Sequence, residues 1–184
     1  MEMPVRAAAV SGSPSTSSRS ALLLDHAISC LEERGALVTK VVLADLSADE
    51  LLGRASGPAL EAARAAVLAA DILVASTPVY RATYSGLLKV FLDQLPRDSL
   101  AAAVAVPIAT GAVLEHETTI DDVRRLFESL GATVTPEGVY GLDRDFSDGR
   151  PDGATLRRVE RVTQDALELA GRRAHDPAAR TGET

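Results

Sequence analysis

The sequence predicts an α/β protein, a five-stranded parallel sheet with helices on both faces, and three observations predict it. Aliphatic strand-like runs and amphipathic helical stretches alternate five times along 184 residues. Right-handed crossovers leave few other ways of packing five such units. No long Pro/Gly/Ser linker or block of like charge divides the chain, and 46% hydrophobic content suffices for one substantial core. One domain is therefore expected over residues 1–170, followed by a polar, disordered tail at 171–184.

The elements follow in order. Residues 7–10 (Ala-Ala-Ala-Val) read as the first strand, and residues 18–34 as a helix in which Leu24, Ala27, Ile28 and Leu31 share a face until Gly35 stops it. Residues 38–43 are rich in β-branched side chains and make strand two; a polar connection leads to a helix at 58–70, with Pro58 in its first turn. The run Ile72-Leu73-Val74-Ala75 is a buried third strand. After a loop, Leu88, Phe91, Leu92 and Leu95 recur at helical spacing. Residues 104–108 give strand four. The next helix is expected to take Thr118 or Thr119 as N-cap, Asp121 and Asp122 in its first turn, and Val123, Leu126, Phe127 and Leu130 as its buried stripe, ending at Gly131. Residues 132–134, with Gly138-Val139-Tyr140 as a candidate continuation, supply strand five. Leu156, Val159, Ala166 and Ala170 mark the last helix. The flavodoxin-like strand order 2-1-3-4-5 is adopted because it gathers the loops after strands one, three and four around one crevice.

Composition narrows the function. A net charge of -7, with 19 basic residues interleaved among 26 acidic ones, excludes the clustered cations that nucleic acids select. No apolar stretch approaches the length needed to span a bilayer, and the N-terminus lacks the apolar core of a signal peptide. The single Cys30 lies in a helical pattern among apolar residues; a buried, inert thiol in a reducing cytoplasm is expected. Three scattered histidines and one cysteine offer no metal-ligand spacing.

The chemistry lies in the three gathered loops. After strand one, Ser11-Gly12-Ser13-Pro14-Ser15-Thr16-Ser17-Ser18-Arg19-Ser20 places six serines and an arginine immediately before a helix. Unpaired N–H groups and the partial positive charge of a helix start suit an oxyanion, hydroxyls add donors, and Arg19 can neutralise a phosphate. The same serines also serve as caps and turn residues. Neither G-x-G-x-x-G nor a P-loop is present, which leaves a monophosphate. After strand three, Pro78 stiffens the backbone, and Val79 and Tyr80 can line a flat ring; packing of Tyr80 and Tyr84 on the surface is the plainer reading. After strand four, Thr110 can bond a polar ring edge and Gly111 permits a close backbone approach. Together the loops describe a site for a mononucleotide with an extended planar head, and FMN is that ligand.

Three stretches resemble the NAD(P)H-dependent FMN reductases, and most of all those serving two-component alkanesulfonate monooxygenase systems. They are Gly12-Ser13-Pro14, Thr77-Pro78-Val79-Tyr80 through Tyr84-Ser85-Gly86-x-Leu88-Lys89-x3-Asp93-x-Leu95-Pro96, and Ala109-Thr110-Gly111. The resemblance spans residues 5–140 and implies a flavodoxin-like fold, FMN as cofactor or substrate, and NADPH or NADH giving a hydride to flavin N5. Carried over by position, it assigns the phosphate to Ser11, Ser13, Ser18, Arg19 and Ser20, and the isoalloxazine to Pro78, Val79, Tyr80, Thr110 and Gly111. Relatives place an arginine where this chain has Ser15, so either Arg19 does the phosphate work or the site is weaker. Some carry an extra tyrosine after the Thr-Gly loop; residues 117–126 have none, so an ordinary α-helix is expected there.

Hydride transfer between cofactors needs no protein acid or base, so no catalytic side chain is assigned. His116 reads as a surface residue, and Lys89 with Asp93 as a surface ion pair. In relatives the helix carrying them lies at a subunit contact, and Phe91 with Leu87 and Val90 is expected to widen its apolar face, giving a homodimer or homotetramer. Arg81 and Arg144 are loop arginines able to meet a 2′-phosphate. A flavin-dependent monooxygenase is the implied partner. The rival readings are an FMN-retaining quinone, azo or metal-ion reductase and, outside enzymes, a flavodoxin-type electron carrier. A receiver-type signalling domain shares the architecture but needs an acidic pair after strand one, where Ser11-Gly12-Ser13 stands.

Overall fold

In the computed structural model, which describes residues 3–15 and 17–175, the aliphatic runs form the strands β1 (Arg6–Ser11), β2 (Leu37–Val42), β3 (Ile72–Tyr80), β4 (Thr83–Tyr84), β5 (Val104–Gly111), β6 (Thr133–Val134), β7 (Val139–Leu142), β8 (Phe146–Ser147) and β9 (Arg150–Pro151). The helices are α1 (Arg19–Glu32), α2 (Ala48–Leu51), α3 (Pro58–Leu68), α4 (Gly86–Leu92), α5 (Thr119–Ser129) and α6 (Gly153–His175). The main sheet runs β2-β1-β3-β5-β6, all parallel, which is the expected 2-1-3-4-5 order. Its fifth position is a broken strand. β6 pairs with the start of β5 through Val104↔Thr133, and β7 with its end through Ile108↔Val139. Between them Pro136 has no N–H for the ladder, and Thr135 Oγ1 donates to Glu137 O at 2.7 Å, so the chain turns outward and then rejoins.

Strand alternation assigns each face its helices. Ala7, Ala9, Ile72, Val74, Val104, Val106 and Ile108 pack with Leu23, Leu24 and Leu31 of α1 and Val159 and Val162 of α6. Ala8, Val10, Leu73, Ala75 and Ala105 pack with residues of α3, α4 and α5, among them Leu60, Leu88, Phe91, Val123 and Phe127. Glycine ends α1 and α5 as expected: Gly35 and Gly131 have φ of 84° and 88°. Ala36 N–H then reaches Leu31 O, and Ala132 N–H reaches Phe127 O, each at 3.1 Å, closing the last turn in a Schellman pattern.

The structure corrects several expectations. The polar connection after β2 contains α2, started by a reciprocal capping box between Ser47 and Glu50. Thr118 is the N-cap residue of α5, as expected, but it makes no side-chain cap hydrogen bond, because a 3-10 turn at Leu114–Thr118 runs straight into the helix. Phe91 is fully buried in the core beneath α4 and adds nothing to an outer apolar face, while Leu87 and Val90 are half-buried. The last helix continues to His175, so residues 171–175 belong to it; the rest of the expected tail, 176–184, lies outside the described residues. No described helix is long and apolar enough to cross a membrane.

Candidate functional site

Register brings the three loops together at the carboxyl edge of adjacent strands. Ser11 at the end of β1 lies opposite Ser76 of β3, and Pro78 of β3 lies opposite Thr110 of β5. Gly12 is clamped from both sides. Its N–H donates to Ser76 O at 2.8 Å, and its carbonyl accepts from Ser85 Oγ at 2.5 Å. A Cβ at Gly12 would stand 2.9 Å from Leu88 Cβ and 3.0 Å from Ser76 O, so this position tolerates only glycine.

Serine hydroxyls then fold the loop into the start of α1. Ser13 Oγ accepts from Ser15 N–H at 3.1 Å; Ser18 Oγ caps the helix by accepting from Ala21 N–H at 3.1 Å and lies 3.1 Å from Ser20 Oγ. Ser11, Ser13 and Ser20 are buried. The first turn of α1 carries no acidic residue to oppose its positive end. Among the described residues, Ser76 Oγ is buried with no hydrogen-bond partner, on the same side of the sheet as Ser11. A buried orphan hydroxyl costs about 1–3 kcal/mol unless a ligand engages it, which fits a polar group from outside the chain.

Arg19 stands at the start of this helix, but its guanidinium is already engaged. Nη1 lies 2.8 Å from Asp143 Oδ1, and the group sits 5.8 Å from the centre of the Phe146 ring. At half exposure this pair holds Arg19 in place more than it stabilises the fold. An anion here would therefore rest mainly on the helix start and the hydroxyls, with Arg19 beside it.

The segment after Ala75, expected to be a loop, continues β3 to Tyr80 and returns as β4 in a two-residue hairpin. Thr77 Oγ1 fixes its root, accepting from Ser85 N–H at 2.9 Å and donating to Pro78 O at 3.0 Å. Pro78 and Val79 are half-buried, and Tyr80 is 50% exposed. Thr110 and Gly111 close the end of β5. The close approach at Gly111 is internal: a Cβ there would lie 2.2 Å from Tyr140 Oη. That hydroxyl donates to Val113 O at 2.8 Å and props residues 111–113 from beneath, a role sequence reasoning missed.

Burial, and then the charges of Asp143, Glu117 and Glu115, push the Tyr140 phenol above the ordinary tyrosine value of 10.0. With the folded pKa above the unfolded one, the native state holds this proton more tightly. The resulting stabilisation is complete below the unfolded pKa and is lost as pH rises through the folded one. Tyr140→Phe is expected to flatten the alkaline decline of stability, read as urea midpoints between about pH 8 and 11. Cys30, also raised by burial, is common to both proteins and cancels in the comparison.

A concavity of about 540 Å³ lies elsewhere, among Leu114, Glu117, Ile120, Asp121, Glu137 and Gly138. Its acidic lining opposes a phosphate. His116 is half-buried in the 3-10 turn. Lys89 and Asp93 form the expected surface ion pair.

Strand order and the gathered loops place the chain in the flavodoxin-like class of α/β proteins. The sequence profile described as NADPH-dependent FMN reductase matches residues 5–147. The chain belongs to that family and is an NAD(P)H-dependent flavin oxidoreductase. An FMN reductase (NADPH) from Pseudomonas putida is 34% identical over 163 residues, covering 86% of this chain and 83% of the relative. The crystal structure of an NADH:FMN oxidoreductase in its apo form superposes with a TM-score of 0.84 at 30% identity, covering 96% of this chain and 94% of the other. A short-chain flavodoxin shares the fold alone, with a TM-score of 0.65 at 16% identity over 92% of this chain and 99% of its own.

Proposed function

We propose that the gathered loops form a groove that holds FMN and that NADPH or NADH reduces it there, for release to a partner monooxygenase. The observation that carries this reading is the register that sets the serine loop, the Pro78 hairpin and the end of β5 side by side on three adjacent strands. Ser11, Ser13, Ser18 and Ser20 with the start of α1 take the phosphate, Arg19 adds a charge at its rim, and Ser76 completes the floor. Pro78, Val79, Tyr80, Thr110 and Gly111 take the ring. The flavin and nicotinamide supply the hydride chemistry when bound; the side chains orient them and keep water out, and none transfers a proton.

Supply to an oxygenase is supported by the likeness of the Thr77-to-Pro96 stretch to reductases of two-component systems. The same likeness supports a homodimer or homotetramer formed through α4, and the lone buried Cys30 suits a reducing cytoplasm. Steady-state oxidation of NADPH or NADH by the purified protein should depend on added FMN and saturate with it. No oxidation of either nucleotide in the presence of FMN would overturn the reading. Light scattering giving 19.3 kDa at micromolar concentration would overturn the oligomer.

A further inference from the structure

The hairpin joining β3 to β4 turns through Arg81 and Ala82, whose φ values of 52° and 66° are both left-handed. Two-residue hairpins require that backbone and ordinarily fill it with Asn-Gly, Asp-Gly or Gly-Gly. A side chain at both positions is strained, and strained turns of this kind cluster at binding and catalytic sites. The tip is held all the same: Thr83 Oγ1 donates to Asp122 Oδ2 at 3.0 Å, and Thr119 Oγ1 donates to Ala82 O at 3.4 Å.

Arg81 is exposed and, among the described residues, has no ion pair or side-chain hydrogen bond. Other cations at this edge are engaged: Arg19 by Asp143, Arg125 by Asp122 and Arg158 by Asp145. Arg144 is also exposed and, among the described residues, without an ion pair, but in the chain it stands between Asp143 and Asp145. Glu115, Glu117 and Asp121 are exposed and make the neighbouring rim acidic. Such a rim disfavours the more highly charged nicotinamide nucleotide unless one cation meets its extra phosphate.

We propose that Arg81 determines nucleotide specificity, its guanidinium receiving the 2′-phosphate that NADPH carries and NADH lacks. The inference rests on the FMN-reductase reading. A planar fork matches a phosphate dianion better than an ammonium does. Fixed on the hairpin that carries Pro78, Val79 and Tyr80, it is presented beside the ring-binding residues.

The test uses the full chain with FMN and measures KM and kcat for both nucleotides in the wild type, Arg81→Gly, Arg81→Lys and Ala82→Gly, with Tm for each. The wild type should favour NADPH. Arg81→Gly should raise the KM for NADPH about tenfold and leave that for NADH unchanged, while Tm stays level or rises because glycine relieves the turn. Arg81→Lys should recover part of the preference, and Ala82→Gly should raise Tm without moving either KM. Equal KM values for the two nucleotides in the wild type overturn the inference, as does an equal rise for both, or none, in Arg81→Gly. If the wild type oxidises neither nucleotide with FMN, the FMN-reductase reading falls and takes this inference with it; the other outcomes remove the inference alone.

Discussion

Gly12→Ala should destabilise the protein by about 3 kcal/mol and abolish FMN binding at concentrations that saturate the wild type. The new methyl would meet Leu88 Cβ at 2.9 Å and the Ser76 carbonyl at 3.0 Å. Neither can yield cheaply. Leu88, on the core face of α4, is fully buried, and Ser76 O accepts the Gly12 N–H at 2.8 Å, so relief of the overlap pulls β1 and β3 apart where the serine loop begins. Urea unfolding reads the stability and quenching of flavin fluorescence reads the binding. Gly86→Ala is the control: nothing lies within 4 Å of a Cβ there, and alanine in the first turn of α4 should be neutral or stabilising by about 0.5 kcal/mol.

Ser85→Ala should cost about 2–4 kcal/mol and raise the KM for FMN several-fold. One buried hydroxyl serves two elements. It caps α4 by accepting from Leu88 N–H at 3.1 Å and donates to Gly12 O at 2.5 Å, tying the phosphate loop to the root of the hairpin. Alanine loses the cap and leaves the Gly12 carbonyl buried without a donor. Urea midpoints together with FMN saturation curves check both effects. A stability loss with unchanged FMN saturation would mean that the junction supports the fold and not the groove.

The α/β class was legible because five aliphatic runs, each followed by a helical stripe, admit few arrangements, and the serine and Thr-Gly loops were legible by their position after strands; the strand order was a choice that periodicity does not fix, and the pairing bears it out. What was not legible depends on partners distant in sequence. The β3–β4 hairpin was hidden because its turn is Arg81-Ala82, without the Asn-Gly or Asp-Gly signal that marks such turns. The β8–β9 hairpin does carry that signal at Asp148-Gly149 and could have been found from it. The pairing of Arg19 with Asp143 spans 124 residues, and no local pattern announces it. Gly111 was correctly read as a point of close approach, but only the fold shows that Tyr140 is what approaches. Ser76 lies at the end of an aliphatic run, where nothing in the sequence marks its hydroxyl as unpartnered.

The most direct measurement is an equilibrium titration of the purified protein with FMN and, in parallel, with riboflavin, followed by flavin fluorescence. If the serine loop and the start of α1 grip the phosphate, FMN binds at least about tenfold more tightly than riboflavin. Equal affinities, or no binding of FMN, would contradict the account.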